Sequence, residues 1–172
     1  MAAWAGDARY TELVRKHGTS LLQLAVLLTG NRHDAEDIVQ DALISVANSW
    51  SITRPTAGAA YLRRAVANRA IDVARARREI ASDEIPDAAH IDTGFLEYEN
   101  DQRFFELLAA LPERQRATLV LRYHAELGNR EIARILGVTV TTVRSQLQHG
   151  LAKLRAQQAE LLTVEASERT TR

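Results

Sequence analysis

The apolar residues of this 172-residue chain recur at intervals of three and four positions along almost its whole length. This spacing places apolar side chains on one face of an α-helix, as the stripe Leu21, Leu24, Ala25 and Leu28 illustrates. No segment keeps the two-residue alternation that is typical of a half-buried strand. The sequence therefore predicts an all-α fold, in which functional side chains lie on helices or on the turns between them.

Turn residues and a change of composition divide the chain into parts. Gly30-Asn31 separates the first two predicted helices, and Pro55 and Gly58 precede a third. From Glu79 onward the helical period fades and acidic residues dominate. We therefore predict two small helical domains joined by an acidic linker. The predicted bounds are 1–78 for the first domain, 79–103 for the linker, 104–155 for the second domain and 156–172 for a C-terminal tail.

The composition excludes several classes of function. The chain has no cysteine, so it has neither a disulfide framework nor a thiolate metal site. Its five histidines are scattered without a paired ligand spacing, and no glycine-rich phosphate loop is present. No apolar run has the length of a signal peptide core or of a membrane span. We expect a cytoplasmic protein without membrane insertion that is not an enzyme and needs no metal or cofactor.

The net charge of zero conceals two basic blocks and one acidic block. Residues 51–78 contain seven arginines and one acid, and residues 129–155 contain five basic side chains and one acid. Between them, residues 79–101 contain eight acids and no lysine or arginine. Because charges act over a Debye length of about 10 Å, each basic block can attract phosphate locally. The acidic block is expected to fold back on the basic blocks and to weaken DNA binding by the free protein.

The stretch NREIARILGVTVTTVRSQLQHGLAKLR, residues 129–155, has the spacing of a helix-turn-helix. Gly137 supplies the tight turn, and Val143, Leu147, Leu151 and Leu154 form the buried stripe of the second helix. The open side of that helix is short-chained and nearly free of acids, which suits approach to a phosphate-lined groove. Its members are Thr141, Thr142, Arg144, Ser145, Gln146, Gln148 and His149.

A second group of polar residues lies on YLRRAVANRAIDVARARR, the third predicted helix. Arg64, Asn68 and Arg75 share one face, Arg63 and Arg69 flank it, and Tyr61 is at its amino end. An aromatic ring beside arginines and an amide can stack an unpaired base and hold its phosphate. Taken alone, the same pattern also fits a basic surface helix.

A third group, in DAEDIVQDAL, places four acids in eight residues on the early turns of the second predicted helix. One or two acids there are favoured by the helix dipole. Asp37 and Asp41 lie four residues apart on one face with Gln40 beside them, and like charges at that spacing are slightly destabilising. A basic protein partner would relieve this repulsion.

The three groups, in this order, resemble a bacterial RNA polymerase sigma factor of the two-domain extracytoplasmic-function group, over about residues 8–155. The resembling segments are LLTGNRHDAEDIVQDAL, YLRRAVANRAIDVARARR and LPERQRATLVLRYHAELGNREIARILGVTVTTVRSQLQHGLAKLR. The resemblance implies that the first segment binds core polymerase, the second melts and reads the −10 promoter element, and the third reads the −35 element.

The resemblance also implies a role for individual residues. The residues expected to bind core polymerase are Asp34, Glu36, Asp37, Gln40 and Asp41. Those expected at the −10 element are Tyr61, Arg63, Arg64, Asn68, Arg69 and Arg75. Those expected at the −35 element are Arg122, Thr139, Thr141, Thr142, Arg144, Ser145, Gln146, Gln148 and His149. The implied partners are the clamp helices and flap of core RNA polymerase, promoter DNA and an anti-sigma factor.

The alternative interpretation is a dimeric helix-turn-helix regulator that binds duplex DNA and never replaces a polymerase subunit. That interpretation accounts for the helix-turn-helix, but it leaves DAEDIVQDAL and the aromatic-arginine helix without a function.

Overall fold

The computed structural model describes residues 8–53, 58–80 and 105–170, which form helices and connecting turns without a β-strand. The predicted all-α fold is therefore confirmed for this part of the chain. The helices are α1 (Ala8–Thr29), α2 (Arg32–Thr53), α3 (Gly58–Ile80), α4 (105–109), α5 (Glu113–Leu119), a π-helix (Val120–His124), α6 (Asn129–Leu136) and α7 (Val140–Thr170). None of the helices searched in these ranges is long and apolar enough to cross a membrane.

Helices α1 and α2 form the predicted hairpin, and two adjacent residues make its turn. Gly30 has a left-handed φ of 72°, a conformation that glycine adopts without steric cost, and its N–H donates to the Val26 carbonyl at 2.7 Å. Asn31 then caps α2, because its side-chain oxygen accepts the backbone N–H of Asp34 at 3.0 Å. The short connection forces the two helices to pack side by side.

Helix α3 packs against both members of this hairpin. The predicted stripe of α1 is buried, with Leu24 and Ala25 fully inaccessible to solvent. Ile38 of α2 and Leu62 of α3 are buried in the same cluster. Each helix therefore commits one face to the core and leaves its polar face outward.

The second domain departs from the sequence expectation in one respect. The apolar spacing of ERQRATLVLRYH predicts a single α-helix there, but the structure changes from α5 to the π-helix at Val120. The backbone N–H of Ala125 consequently bonds to the Val120 carbonyl, five residues earlier, at 3.0 Å. Pro112 stands immediately before α5, where its missing N–H costs no helical hydrogen bond.

The predicted helix-turn-helix is present in α6, Gly137 and α7. Gly137 has a φ of 68°, and the N–H of Val138 bonds back to the Ala133 carbonyl at 3.0 Å. This arrangement ends α6 sharply, because a left-handed residue cannot continue the helix. Val143 of α7 is fully buried, while Leu147, Leu151 and Leu154 are partly buried against the same core.

The two domains pack against each other through α1 and α3. Helix α1 contacts α5 and the π-helix, and α3 contacts α6. The Nε2–H of His124 donates to the Ser20 carbonyl at 2.9 Å, which joins the end of the π-helix to α1. The buried side chains of both domains form one continuous cluster.

A close approach of α7 to α5 gives a test of the packing. A Cβ added at Gly150 would lie 2.8 Å from Cδ1 of buried Leu119, whereas one added at Gly18 of α1 would meet nothing within 4 Å. Gly18→Ala should raise the free energy of unfolding by about 0.5–1 kcal/mol, the usual gain from glycine to alanine in a helix. Gly150→Ala should lower it, because overpacking costs about 1–3 kcal/mol. Chemical denaturation measures both, and equal stabilisation would contradict this packing.

Candidate nucleic-acid interface

The predicted polymerase-binding residues lie together on the first turns of α2. Glu36, Asp37, Gln40 and Asp41 are exposed, and Asp34 is partly buried next to its cap. Two of the acids are paired within the protein. Glu36 accepts the Nε–H of Arg32 at 2.8 Å, and an Asp41 carboxylate oxygen lies 3.8 Å from a guanidinium nitrogen of Arg69 on α3. Both pairs are well exposed, so they contribute little to stability. The acids can therefore give up these contacts and pair with another protein.

An apolar groove of about 410 Å³ adjoins this acidic cluster. It runs between α1 and α2, and Glu36 and Gln40 lie at its edge. Ile44, which the sequence analysis did not select, lines the groove and is 47% exposed. An exposed branched aliphatic side chain beside acids gives this face both an apolar and an ionic component.

The candidate −10 residues lie on α3 in two environments. Tyr61 at the first turn is 41% exposed, and Asn68, Arg69 and Arg75 are exposed farther along. The side chain of Arg63 is only 19% exposed, because it lies under the second domain. Only part of the basic face is thus open to solvent.

Two acids of the second domain account for this coverage, and sequence analysis missed both. Glu126, just before α6, forms an ion pair with Arg63, and Glu131 of α6 forms one with Arg64. Beyond them, a guanidinium N–H of Arg75 donates to the Ile135 carbonyl at 3.3 Å. The sequence shows Glu131 as the single acid of the basic block 129–155 and gives no comparable signal for Glu126, and it specifies a partner for neither.

The candidate −35 residues of α7 also divide into two sets. The exposed set is Thr139, Thr141, Arg144, Ser145, Gln148 and His149. Thr142 and Gln146 are half-buried and line a cavity of about 410 Å³ between the two domains. Ile71 and Arg75 of α3 line the same cavity. The open face of α7 therefore turns partly toward the first domain.

Thr139 and Arg122 have structural contacts in addition to their predicted role. The Thr139 side-chain oxygen accepts the backbone N–H of Thr142 at 3.1 Å, so Thr139 is the N-cap of α7. Arg122 in the π-helix donates to the Leu127 carbonyl at 3.0 Å and holds the turn that precedes α6.

Arg116 is a basic residue of the second domain that belongs to its interior. Its side chain is buried on α5, and burial lowers the pKa of its guanidinium from the usual value. One of its N–H groups donates to the Ala109 carbonyl at 3.4 Å. Arg116 thus ties α4 to α5 and is not available to bind phosphate.

Both parts of the chain match known protein families. Residues 13–80 match the family described as Sigma-70 region 2, and residues 101–154 match Sigma-70, region 4. The chain is 32% identical over 149 residues to the RNA polymerase sigma-E factor of Streptomyces avermitilis, covering 85% of this chain and 83% of that protein. It is 33% identical over 156 residues to the ECF RNA polymerase sigma factor SigE of Mycolicibacterium smegmatis, covering 85% and 60%.

A solved structure shares the fold. The sigma factor RpoE of Bartonella quintana, in complex with the anti-sigma factor NepR, has a TM-score of 0.60 at 21% identity, over 91% of this chain and 98% of that one. The chain belongs to the sigma-70 family of RNA polymerase sigma factors. Within that family it is a member of the extracytoplasmic-function group.

The cap at Thr139 can be separated from any contact that Thr139 makes with DNA. Thr139→Ala should lower the free energy of unfolding of the second domain by about 1 kcal/mol, because a backbone N–H of α7 loses its partner. Thr139→Ser keeps the capping oxygen and should restore most of that stability. Thermal unfolding followed by circular dichroism tests the pair. Equal stability of the alanine variant and the natural protein would show that the cap is not needed.

Proposed function

We propose that this chain binds core RNA polymerase through α2, reads and melts the −10 element through α3, and reads the −35 element through α7. The observation that carries the proposal is that one small fold presents an acidic α2 face, a basic α3 face with an exposed tyrosine, and a helix-turn-helix. A dimeric regulator of duplex DNA would use only the last of these. The family match favours the sigma factor over that alternative.

The polymerase contact is assigned to Asp34, Glu36, Asp37, Gln40 and Asp41, together with the groove beside them. Exposed carboxylates next to an apolar groove suit a partner helix with basic and aliphatic side chains, because the acids steer its approach and the groove buries apolar area. The clamp helices of polymerase are the proposed partner. A second contact, between the helix-turn-helix domain and the polymerase flap, is part of the same assembly.

Charge reversal tests the polymerase contact. Asp37→Arg combined with Asp41→Arg should abolish co-purification with core polymerase, because both side chains are exposed and would repel a basic partner. The fold should survive, since exposed substitutions rarely change stability by more than about 0.5 kcal/mol. Glu12→Arg is the matched control, because Glu12 is an exposed acid of α1. Normal co-purification of the double variant, or its loss in the control, would contradict the assignment.

The −10 contact is assigned to Tyr61, Arg63, Arg64, Asn68, Arg69 and Arg75. Melted DNA offers unstacked bases and a single-stranded backbone. An exposed aromatic ring followed by basic and amide side chains on one helix can hold both. The −35 contact is assigned to Arg122, Thr139, Thr141, Thr142, Arg144, Ser145, Gln146, Gln148 and His149. Hydroxyl, amide and guanidinium groups are the ones that bond to base edges in the major groove.

Replacing the exposed ring of Tyr61 tests base stacking at the −10 element. Tyr61→Ala should weaken open-complex formation by the equivalent of about 1–3 kcal/mol, the usual cost of removing a stacking ring. Tyr61→Trp should retain it. The measurement is permanganate footprinting on any promoter that the holoenzyme transcribes in vitro. A premelted version of the same promoter is the control, on which the alanine defect in strand opening should be smaller. Full opening of duplex DNA by the alanine variant would contradict stacking.

The linker is proposed to join two domains that bind separate promoter elements. Elements one and a half to two turns apart are separated by about 50–70 Å of duplex. The predicted linker, residues 79–103, reaches about 80 Å when extended at 3.3 Å per residue, which is sufficient with little slack. Except for its first two residues, which end α3, this linker lies outside the described residues.

The remaining parts of the proposal concern how the protein acts and where. It acts by binding and positioning, without catalysing a reaction of its own and without a metal or cofactor, and its site of action is the cytoplasm, where polymerase and promoter DNA are. An anti-sigma factor is a proposed partner, because the similar structure from Bartonella quintana is a complex with one.

A further inference from the structure

An apolar pocket of about 380 Å³ lies on the second domain, away from the residues assigned to DNA. Tyr123 of the π-helix lines this pocket and is 59% exposed, although a tyrosine ring usually buries most of its area. The other apolar walls come from α1, α4, α5, the π-helix and α7, and they are Leu27, Leu108, Leu119, Val120, Leu151 and Leu154. An open apolar pocket bordered by an exposed ring is typical of a docking surface.

The pocket lies where the apolar stripe of α7 loses its cover. Val143 is fully buried, whereas Leu151 and Leu154, two and three turns farther along, are only partly buried. The described part of the second domain thus provides one side of an apolar contact and leaves the other side open.

The volume and the lining of the pocket define the chemistry of its occupant. An apolar cavity of about 150 Å³ is sufficient for a benzene ring, so this pocket has room for an aromatic ring and one further side chain. The exposed side chain of Arg155 lines the same pocket. The other basic lining residue, His124, uses its Nε2–H to bond to the Ser20 carbonyl. The expected occupant is therefore an aromatic segment with an acid beside it.

One segment of this chain has that chemistry. Residues 95–98 have the sequence FLEY, which places two aromatic rings and a leucine around Glu97. They stand inside the predicted acidic linker, where the other residues are mostly polar, and they lie outside the described residues. Glu97 can pair with Arg155 while the apolar side chains enter the pocket.

The chain also ties this segment close to the pocket. Helix α4 begins at residue 105, and Leu108 in the pocket wall is one turn into that helix. Residues 99–104 provide a connection of six residues, a common length for joining elements that pack on each other. A short flexible tether gives an effective concentration in the millimolar range, so even a weak contact would be occupied.

We propose that residues 95–98 of the linker dock in this pocket, with Phe95 buried against its leucines and Glu97 paired with Arg155. Docking leaves residues 79–94 as the free part of the linker, which reaches about 50 Å when extended. That is the lower end of the 50–70 Å between the proposed promoter elements. The docked linker therefore spans only closely spaced elements, and wider spacing requires its release. This consequence rests on the proposed function, whereas the docking itself does not.

A disulfide can report the docking, because the chain has no cysteine of its own. Glu97→Cys is combined with Arg155→Cys in the free, full-length chain and exposed to oxidised glutathione. A disulfide forms only when the two Cα atoms come within about 7 Å. The cysteines replace the proposed ion pair, so the apolar contact alone must hold the segment. An intramolecular disulfide should form readily.

The matched control is Glu97→Cys with Lys153→Cys. Lys153 is exposed, does not line the pocket and lies about 200° around α7 from Arg155, so the tether is the same and only the face differs. Each rate is divided by the rate at which the α7 cysteine alone reacts with a maleimide, which corrects for thiol reactivity. The pair at 155 should cross-link about tenfold faster than the pair at 153, since burial of one aromatic ring favours the docked state by at least that factor.

A second variant tests the apolar contact. Phe95→Ser with Tyr98→Ser, added to the pair at 155, should lower its rate to that of the pair at 153. Circular dichroism should show an unchanged content of helix.

Each other outcome would overturn the docking. Equal rates at 155 and 153 would mean that the segment does not choose the pocket face, and an unchanged rate in the serine variant would mean that the rings do not hold it. A disulfide mainly between two chains would assign the pocket to a second copy. The test uses neither polymerase nor promoter, so its failure leaves the sigma-factor assignment intact, which the Asp37 and Asp41 variant tests separately.

Discussion

The packing of α1 is the constraint on which the rest of the structure depends. One side of α1 is buried against α2 and α3, which fixes the direction in which their polar faces point. The same helix also contacts α5 and the π-helix, where His124 bonds to the Ser20 carbonyl. Because the protein interior is closely packed, a shift of α1 would move the acidic face, the basic face and the domain contact together. A central apolar helix thus positions three polar surfaces without contributing to their chemistry.

The zero net charge of the chain has a structural meaning. Acidic and basic residues are separated along the sequence, but within the described residues the fold brings opposite charges together where α2 meets α3 and where the second domain meets α3. Asp41 of α2 lies near Arg69 of α3, and Glu131 of α6 pairs with Arg64. These exposed or half-exposed pairs stabilise the fold only weakly, which suits contacts that a stronger partner must replace. The proposed replacing partners are polymerase and promoter DNA.

The two ends of the helix-turn-helix domain differ in how their polar groups are used. At the start of α7, Thr139 satisfies a backbone N–H, and at the preceding turn Gly137 ends α6, so the geometry is set by local hydrogen bonds and backbone conformation. Before α6, Glu126 adopts a left-handed conformation that ends the π-helix, where the N–H of Leu127 bonds back to the Leu121 carbonyl at 3.0 Å, and its side chain reaches another domain. Glu126 thus serves a local turn through its backbone and a contact between domains through its carboxylate.

The sequence by itself determined the helices, their buried apolar stripes and the position of the turn in the helix-turn-helix. These depend on residues close to one another in the chain, since a helical period, an Asn31 cap or a Gly137 turn is a local property. It also determined which residues could bind DNA or polymerase, because their chemistry and shared faces follow from type and spacing. The change from α5 to the π-helix was not foreseen, because the apolar spacing of ERQRATLVLRYH also fits a continuous α-helix.

Only the tertiary structure decided which of these polar residues are free to act. The sequence predicts that Arg63 and Arg64 are free to bind phosphate. In the folded chain they form ion pairs with Glu126 and Glu131, which lie more than sixty residues away. Thr142 and Gln146 likewise face a cavity shared with α3. Contacts at such separation depend on how two domains pack, and helical spacing carries no information about that. The sequence therefore predicted the recognition surfaces, and the tertiary structure decided that two of these predicted surfaces face each other.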